Sequence, residues 1–233
     1  MRTGRRTVVC FDVETDCLLS SCPGATRDQQ CFYSQITVAC ALVLDAALCE
    51  DPNDAVEALA TSEAFSYWQD DASGDGTGPF EPLLQLMDEA DVILVYNGFG
   101  FDYPVLRKYY GGVSKLAAQQ RYMNHRLKTL DSFDRIRSAT GVWPKLDDLL
   151  QANGLASKTA SGVEAIKMWQ DGRRRELEDY CAADVKLMAE LCLQPDILLP
   201  RPATRLPNAV FGIAAAVRGQ RVSGPEGFEL VEA

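Results

Sequence analysis

Asp12 and Glu14 stand one residue apart near the end of the chain's first apolar run, Thr7-Val8-Val9-Cys10-Phe11-Asp12-Val13-Glu14-Thr15. The run is rich in β-branched and aromatic residues, the composition of a buried strand. Residues i and i+2 of a strand face the same way, so the two carboxylates project together from the edge of a hydrophobic sheet. Adjacent carboxylates repel each other, and desolvation makes the repulsion worse. A divalent cation with oxygen ligands relieves it.

Three further residues join this pair. Asp102 follows the apolar run Asp91–Tyr96, beyond the end of a strand, where α/β folds place ligand sites. Taken alone it reads as a helix N-cap. Tyr180 and Asp184 are four residues apart on a predicted helix and so share a face. Taken alone they read as a packing tyrosine with a wet hydroxyl and a solvated acid. Their conjunction with Asp12 and Glu14 is what points to a cation site.

The wording of these segments resembles a known family. Phe11-Asp12-Val13-Glu14-Thr15 is similar to the first motif of the DEDD superfamily of 3′→5′ exonucleases. Tyr96-Asn97-Gly98-Phe99-Gly100-Phe101-Asp102-Tyr103-Pro104-Val105-Leu106 resembles the second, in the form found in proofreading domains of family B DNA polymerases. Tyr180-Cys181-Ala182-Ala183-Asp184 resembles the third in its tyrosine form, DEDDy. Residues 130–149, Gly162–Ala165 and Trp169 also look like that group, so the match runs in order from about residue 6 to residue 193, and ordered motifs weigh more than one short pattern. The histidine subclass needs His five residues before Asp184, and that position is Asp179.

The resemblance implies an RNase H-like fold and a hydrolase that releases nucleoside 5′-monophosphates from nucleic-acid 3′ ends. Single-stranded DNA is the favoured substrate, RNA is a second possibility, and DNA repair is the setting such activity serves. It implies two Mg²⁺ or Mn²⁺ ions, about 3.5–4 Å apart, held by Asp12, Glu14, Asp102 and Asp184. Tyr180 would orient the attacking water, since a phenol with a pKa of about 10 is a poor base at neutral pH. Thr15, Asn97 and Phe101 would meet the terminal nucleotide, although Asn97 reads equally well as a turn residue. Lys145, Lys158 and Arg174 are candidate phosphate contacts. Two alternatives stay open: a catalytically silent nucleic-acid-binding module and a structure-selective endonuclease of the same fold.

The elements that must position these residues suggest an α/β fold with a mixed sheet of about five strands, flanked by helices, and a helical C-terminal half. Strands are expected at about residues 6–14, 33–45, 65–68 and 91–96. Asp16 to Cys31 reads as a polar loop, and the Gly-rich stretch before Glu81 as a mobile one. Helices are expected over Glu81–Ala90, from Asp102, and over Asp131–Thr140, Lys145–Asn153, Ser161–Gln170 and Arg173–Leu193. The exonuclease-like domain would cover residues 1–194. Residues 195–233 would form a Pro-rich extension or arm, with a short helix over Val210–Arg218.

The 233-residue chain is 47% hydrophobic and 24% charged, ordinary for a globular protein. No apolar stretch approaches a membrane span, and no signal-peptide pattern precedes the first strand, so the expected location is intracellular, cytoplasmic or nuclear, with no membrane partner. The net charge of −10 excludes coating of nucleic acid by a uniformly basic surface. Basic residues can still cluster for nucleic acid at Arg107-Lys108, Arg126-Lys128, Arg135-Arg137 and Arg173-Arg174-Arg175, although any one of these pairs or runs reads first as a solvated helix face. The eight cysteines are expected to be reduced, small apolar side chains. Cys17, Cys22 and Cys31 would need a fourth ligand to hold zinc, and their spacing matches no common zinc module.

Overall fold

β1 (Thr7–Thr15) organises the molecule because it is apolar on both faces. Val8 and Cys10 point one way and Val9, Phe11 and Val13 the other, and none is more than 2% exposed. A strand buried on both faces belongs at the centre of a covered sheet. The computed structural model describes residues 7–45, 57, 59–60, 62–71, 78–111, 114–201 and 203–213. The remaining strands of the main sheet are β2 (Ile36–Asp45), β3 (Ala64–Trp68), β4 (Val92–Val95) and β5 (Thr129–Asp131). Their order is β3-β2-β1-β4-β5. β2 runs antiparallel to β1 and β3, whereas β4 and β5 run parallel to β1. This is the mixed sheet of five strands, flanked by helices, that the sequence led us to expect.

The helices are α1 (Arg27–Tyr33), α2 (Glu81–Glu89), α3 (Asp102–Leu106), α4 (Lys115–Leu127), α5 (Ser132–Thr140), α6 (Leu146–Ala152), α7 (Gly162–Gln170), α8 (Arg174–Leu193) and α9 (Asn208–Phe211). They divide between the two faces of the sheet. α8 packs Tyr180, Cys181, Val185 and Met188 against Val8, Cys10 and Cys40. On the opposite face, Leu83, Leu84, Met87, Tyr103 and Tyr122 pack against Val9, Phe11 and Val13. Burying each large apolar side chain contributes about 1.5–3 kcal/mol, so both layers hold β1 firmly. The chain's histidine, His125, lies in the second layer, 2.7 Å from Asp88 Oδ1 and 2.8 Å from the Tyr110 hydroxyl.

β6 (Asp196–Pro200) and β7 (Ala203–Pro207) form a separate antiparallel hairpin. Ile197, Leu199, Leu206 and Phe211 share a core cluster with Ile136, Leu149, Leu150, Leu187 and Leu191. The hairpin therefore backs α5, α6 and α8. The expected helix over Val210–Arg218 falls largely outside the described residues, as do the Gly-rich positions 72–77. No helix among the described residues is long and apolar enough to cross a membrane.

The stretch from Asp16 to Cys31 is more ordered than a polar loop. Leu19–Ser21 form one 3₁₀ turn, and α1 starts inside this stretch. Thr26 caps α1 reciprocally with Gln29, a Thr-x-x-Gln box that the sequence displays. Cys17 and Cys22 are joined by a disulfide, which corrects the expectation that every cysteine is reduced. Cys31 is buried on α1 as a thiol, and Cys49 lies outside the described residues. α4 and β5 were not foreseen. α4 buries only Tyr122 and His125, too few for an apolar stripe, and β5 has three residues, too short to show a period.

Candidate active site

Strand parity decides the first step. Asp12 and Glu14 follow Val8 and Cys10 in the even register, so their side chains face α8. There the ligand atoms of Asp12, Glu14 and Cys181 all lie within 4.8 Å of one another. Regular pairing of β1 with β2 breaks between Glu14 and Thr15. Such irregularities end a ladder and re-aim side chains. Tyr180 and Asp184, one helical turn apart on α8, are each 3% exposed and look into the same region. Asp102 arrives from the other face of the sheet. It opens α3, and its Oδ1 accepts a 3.2 Å hydrogen bond from the Val13 N–H of β1.

The charges of these groups bind them into one electrostatic unit. Burial, then the neighbouring Asp184, pushes the Asp12 carboxyl up to about 7. Glu14 is raised by burial, then by Asp12 and Asp184. Asp102 is raised by burial and then by Asp12. Burial also raises Asp184, but Lys158 holds it down. Lys158 Nζ lies 2.6 Å from Asp184 Oδ2 and 5.5 Å from the centre of the Tyr180 ring. Burial and the three carboxylates Glu14, Asp184 and Asp12 together drive the Tyr180 hydroxyl upward, so it keeps its proton at any physiological pH.

The donor set fits a hard divalent cation. It consists of carboxylate oxygens, which suit Mg²⁺ and Mn²⁺. Lys158 pairs with Asp184 Oδ2, whereas Asp184 Oδ1 is buried without a hydrogen-bond partner among the described residues. Buried polar atoms left this way call for a ligand. Cys181 is a poor competitor. Its thiol donates to the Asp12 carbonyl at 3.7 Å, and burial raises its pKa, so it stays a neutral thiol at the site's floor.

A recess of about 340 Å³ opens beside two of these carboxylates, Asp12 and Asp184. Asp12, Asn97, Lys145, Lys158 and Asp184 line its polar side, and Tyr96, Phe133 and Trp143 its aromatic side. Phe133 packs edge-on against Tyr96 at 5.7 Å and Trp143 at 5.8 Å between ring centres. The Tyr96 hydroxyl donates to the Pro144 carbonyl at 2.8 Å, which fixes the lip carrying Trp143. The turn from Asn97 to Asp102 separates this recess from the second helical layer. Asn97 adopts a left-handed φ of 60°, which Asn tolerates better than most residues. The Asn97 and Phe99 N–H groups both donate to Asp131, at 2.8 Å each. A side chain on Gly98 would collide with Val95, so the turn requires glycine there.

Asp12, Glu14, Asp102, Tyr180 and Asp184 thus surround one end of β1. Asn97 lines the recess. The other two expected nucleotide contacts are engaged elsewhere. The Thr15 hydroxyl donates to the Cys17 carbonyl, and Phe101 packs against the aromatic layer around Phe11 and Tyr103. Arg174, expected to meet phosphates, pairs with Asp70 and stacks on Trp68 at 4.1 Å. Sequence reasoning missed the Lys158 contact with Asp184, the aromatic wall and Cys181. Only Cys181 carried a readable signal, since it precedes Asp184 by three residues on the same helix face.

No family model and no curated protein matches this chain. Among solved structures it is similar to the family B DNA polymerase from the hyperthermophilic archaeon Pyrobaculum calidifontis. The identity is 15% and the TM-score 0.49, over 80% of this chain and 24% of that one. It is also similar to exonuclease I in complex with the inhibitor BCBP, at 17% identity and a TM-score of 0.40. That match covers 76% of this chain and 44% of the other. The chain therefore spans less than half the length of either protein.

Proposed function

We propose that this protein is a metal-dependent 3′→5′ exonuclease that hydrolyses phosphodiester bonds at the ends of single-stranded DNA. The observation that carries the reading is the approach of Asp12, Glu14, Asp102 and Asp184 from three distant segments to one end of β1. The DEDDy motif resemblance supplies the direction of attack. Mg²⁺ or Mn²⁺ held by these four carboxylates would supply Lewis-acid stabilisation of the charge that builds on the phosphoryl oxygens and would lower the pKa of water.

The chain's own groups do the rest. Tyr180, kept protonated by its surroundings, orients the attacking water through its hydroxyl and removes no proton. Lys158 offsets the carboxylate charge beside Asp184. With Lys145 on the recess lip, it gives the incoming phosphate a positive partner. Trp143 and Phe133 offer ring faces to the terminal base, a contact that tolerates any base.

The test is digestion of 3′- and 5′-labelled single strands with Mn²⁺, beside a circular strand and a matched RNA. Stepwise shortening of the linear DNA from its 3′ end, abolished by Asp12→Asn and Asp184→Asn, is the expected result. Cleavage of the circle would make the protein an endonuclease. Faster shortening of the RNA would make it an exoribonuclease, and no cleavage would leave a binding module.

A further inference from the structure

A second recess, of about 510 Å³, opens on the far side of the Asn97–Asp102 turn. Phe32, Phe99, Arg107, Lys108, Tyr122 and Arg126 form its walls, with Asp28 as the one carboxylate among its lining residues. Arg126 places its guanidinium 4.7 Å from the Phe99 ring centre and 5.6 Å from that of Tyr122, and Arg107 lies 5.6 Å from Tyr122. Among the described residues, neither arginine pairs with a carboxylate. By contrast Arg121, on the same helix as Arg126, is bound by both Glu81 and Asp88. Lys108 donates to the Phe32 carbonyl at 3.0 Å and to that of Ser34. It thereby fixes the end of α1, from which Phe32 projects 63% exposed.

Arg126 Nη1 donates to the Tyr122 hydroxyl at 3.1 Å, and the remaining N–H groups of guanidiniums held on ring faces stay available for phosphate oxygens. Cations interleaved with exposed rings are the composition of a single-strand groove. In a chain of net charge −10, arginines left without acids are a local departure from the average. The position fits as well. Asn97 borders the catalytic recess and Phe99 borders this one, and two residues of chain span about 7 Å at most. Arg27 Nε donates to the Gly100 carbonyl at 2.8 Å, so α1 is tied to the turn between the two recesses.

We propose that this recess binds single-stranded nucleic acid behind the terminus, with Arg107 and Arg126 on backbone phosphates and Phe32 stacked on a base. Which end of the strand enters the catalytic recess rests on the exonuclease reading. The binding does not.

The test is fluorescence anisotropy of a labelled twelve-nucleotide strand with the full chain in EDTA, repeated across a salt series. The double variant Arg107→Gln/Arg126→Gln should weaken binding at least tenfold. It should also reduce the slope of log affinity against log salt by about 1.4, two phosphate contacts at about 0.7 each. Arg107→Lys/Arg126→Lys should keep the slope, which separates charge from packing. Phe32→Ala should weaken binding without changing the slope. Wild-type affinity and slope in the Gln pair, or no binding by the wild type, overturn the proposal. Digestion of the same strand with Mn²⁺ tests the exonuclease reading separately. Hydrolysis with an unaltered Gln pair discards the recess and keeps the enzyme. Binding that the Gln pair loses, without hydrolysis by the wild type, does the reverse.

Discussion

Lys158 and Asp184 meet at the candidate recess, 2.6 Å apart, the lysine from the loop before α7 and the aspartate from the middle of α8. The same ammonium lowers the pKa of Asp12 and Glu14. It is the positive charge that lets several carboxylates share one small volume in the metal-free protein. Lys158→Met should therefore destabilise the metal-free protein at pH 8, on the order of 1–3 kcal/mol, the cost of leaving a buried polar group without its partner. At pH 5, where Asp12 holds its proton, the loss should be smaller. Thermal melts in EDTA at both pH values check this. Equal losses would mean that the lysine contributes packing rather than charge.

The raised acids make metal-free stability depend on pH. A carboxyl group in the unfolded chain releases its proton near pH 4, whereas the Asp12 proton is held to about 7 in the fold. The native state therefore binds more protons across that window. The contribution of Asp12 to stability is fully present below about pH 4 and is lost as pH rises from about 4 to about 7. His125, whose pKa burial lowers, pulls the other way, because the unfolded chain takes up that proton first. The useful quantity is thus the difference between wild type and Asp12→Asn. Denaturant unfolding in EDTA should show the variant gaining stability over wild type with rising pH, and saturating Mn²⁺ should cancel the gain. A gain that shrinks as pH rises would contradict the charge cluster.

Tyr180 sits one turn from Asp184 and cannot ionise in its surroundings. Tyr180→Phe removes a hydrogen-bonding group and no base. Turnover should fall about tenfold to a hundredfold, the scale of losing exact placement of a reacting water. Mn²⁺ affinity should hold. The pH–rate profile should keep its shape, since no titrating group is lost. A changed alkaline limb would make the tyrosine a base, and an unchanged rate would remove it from the reaction.

Much of this site was legible in the sequence because it obeys local periodicities. The i, i+2 spacing of Asp12 and Glu14 sends both to one side of β1, and the i, i+4 spacing of Tyr180 and Asp184 sends both to one side of α8. What periodicity cannot show is which faces meet. Lys158 lies in an irregular loop, and its approach to Asp184 arises only when α7 and α8 dock. Asp102 looked like a helix cap, yet its carboxylate leaves its own helix and caps the β1 backbone at Val13. Thr15 and Phe101, from the same motifs, have local partners that no periodicity shows: the Thr15 hydroxyl donates to the Cys17 carbonyl, and the half-buried Phe101 packs beside the cluster of Phe11 and Tyr103. Arg107 and Arg126 are nineteen residues apart and read as two separate solvated patches. Only the folded chain, which brings the turn after α3 beside Tyr122 of α4, puts both on that ring.

Trp143 gives the most direct probe of how substrate enters. It is 68% exposed, with one side against Phe133 and the Arg137 guanidinium 4.9 Å from its ring centre. Little of the core depends on it, so Trp143→Ala should change folding stability by no more than about 0.5 kcal/mol. If the ring stacks on the terminal base, its loss removes about 1–3 kcal/mol of binding. KM should then rise between about fivefold and a hundredfold and more than kcat falls, with Trp143→Phe restoring most of the loss. Steady-state digestion of single strands with different terminal bases checks this, and the effect should appear for all of them, since stacking needs only a flat ring. An unchanged KM in the alanine variant would mean that the terminal base lies elsewhere. The aromatic wall would then serve only to hold Pro144 and the recess lip in place.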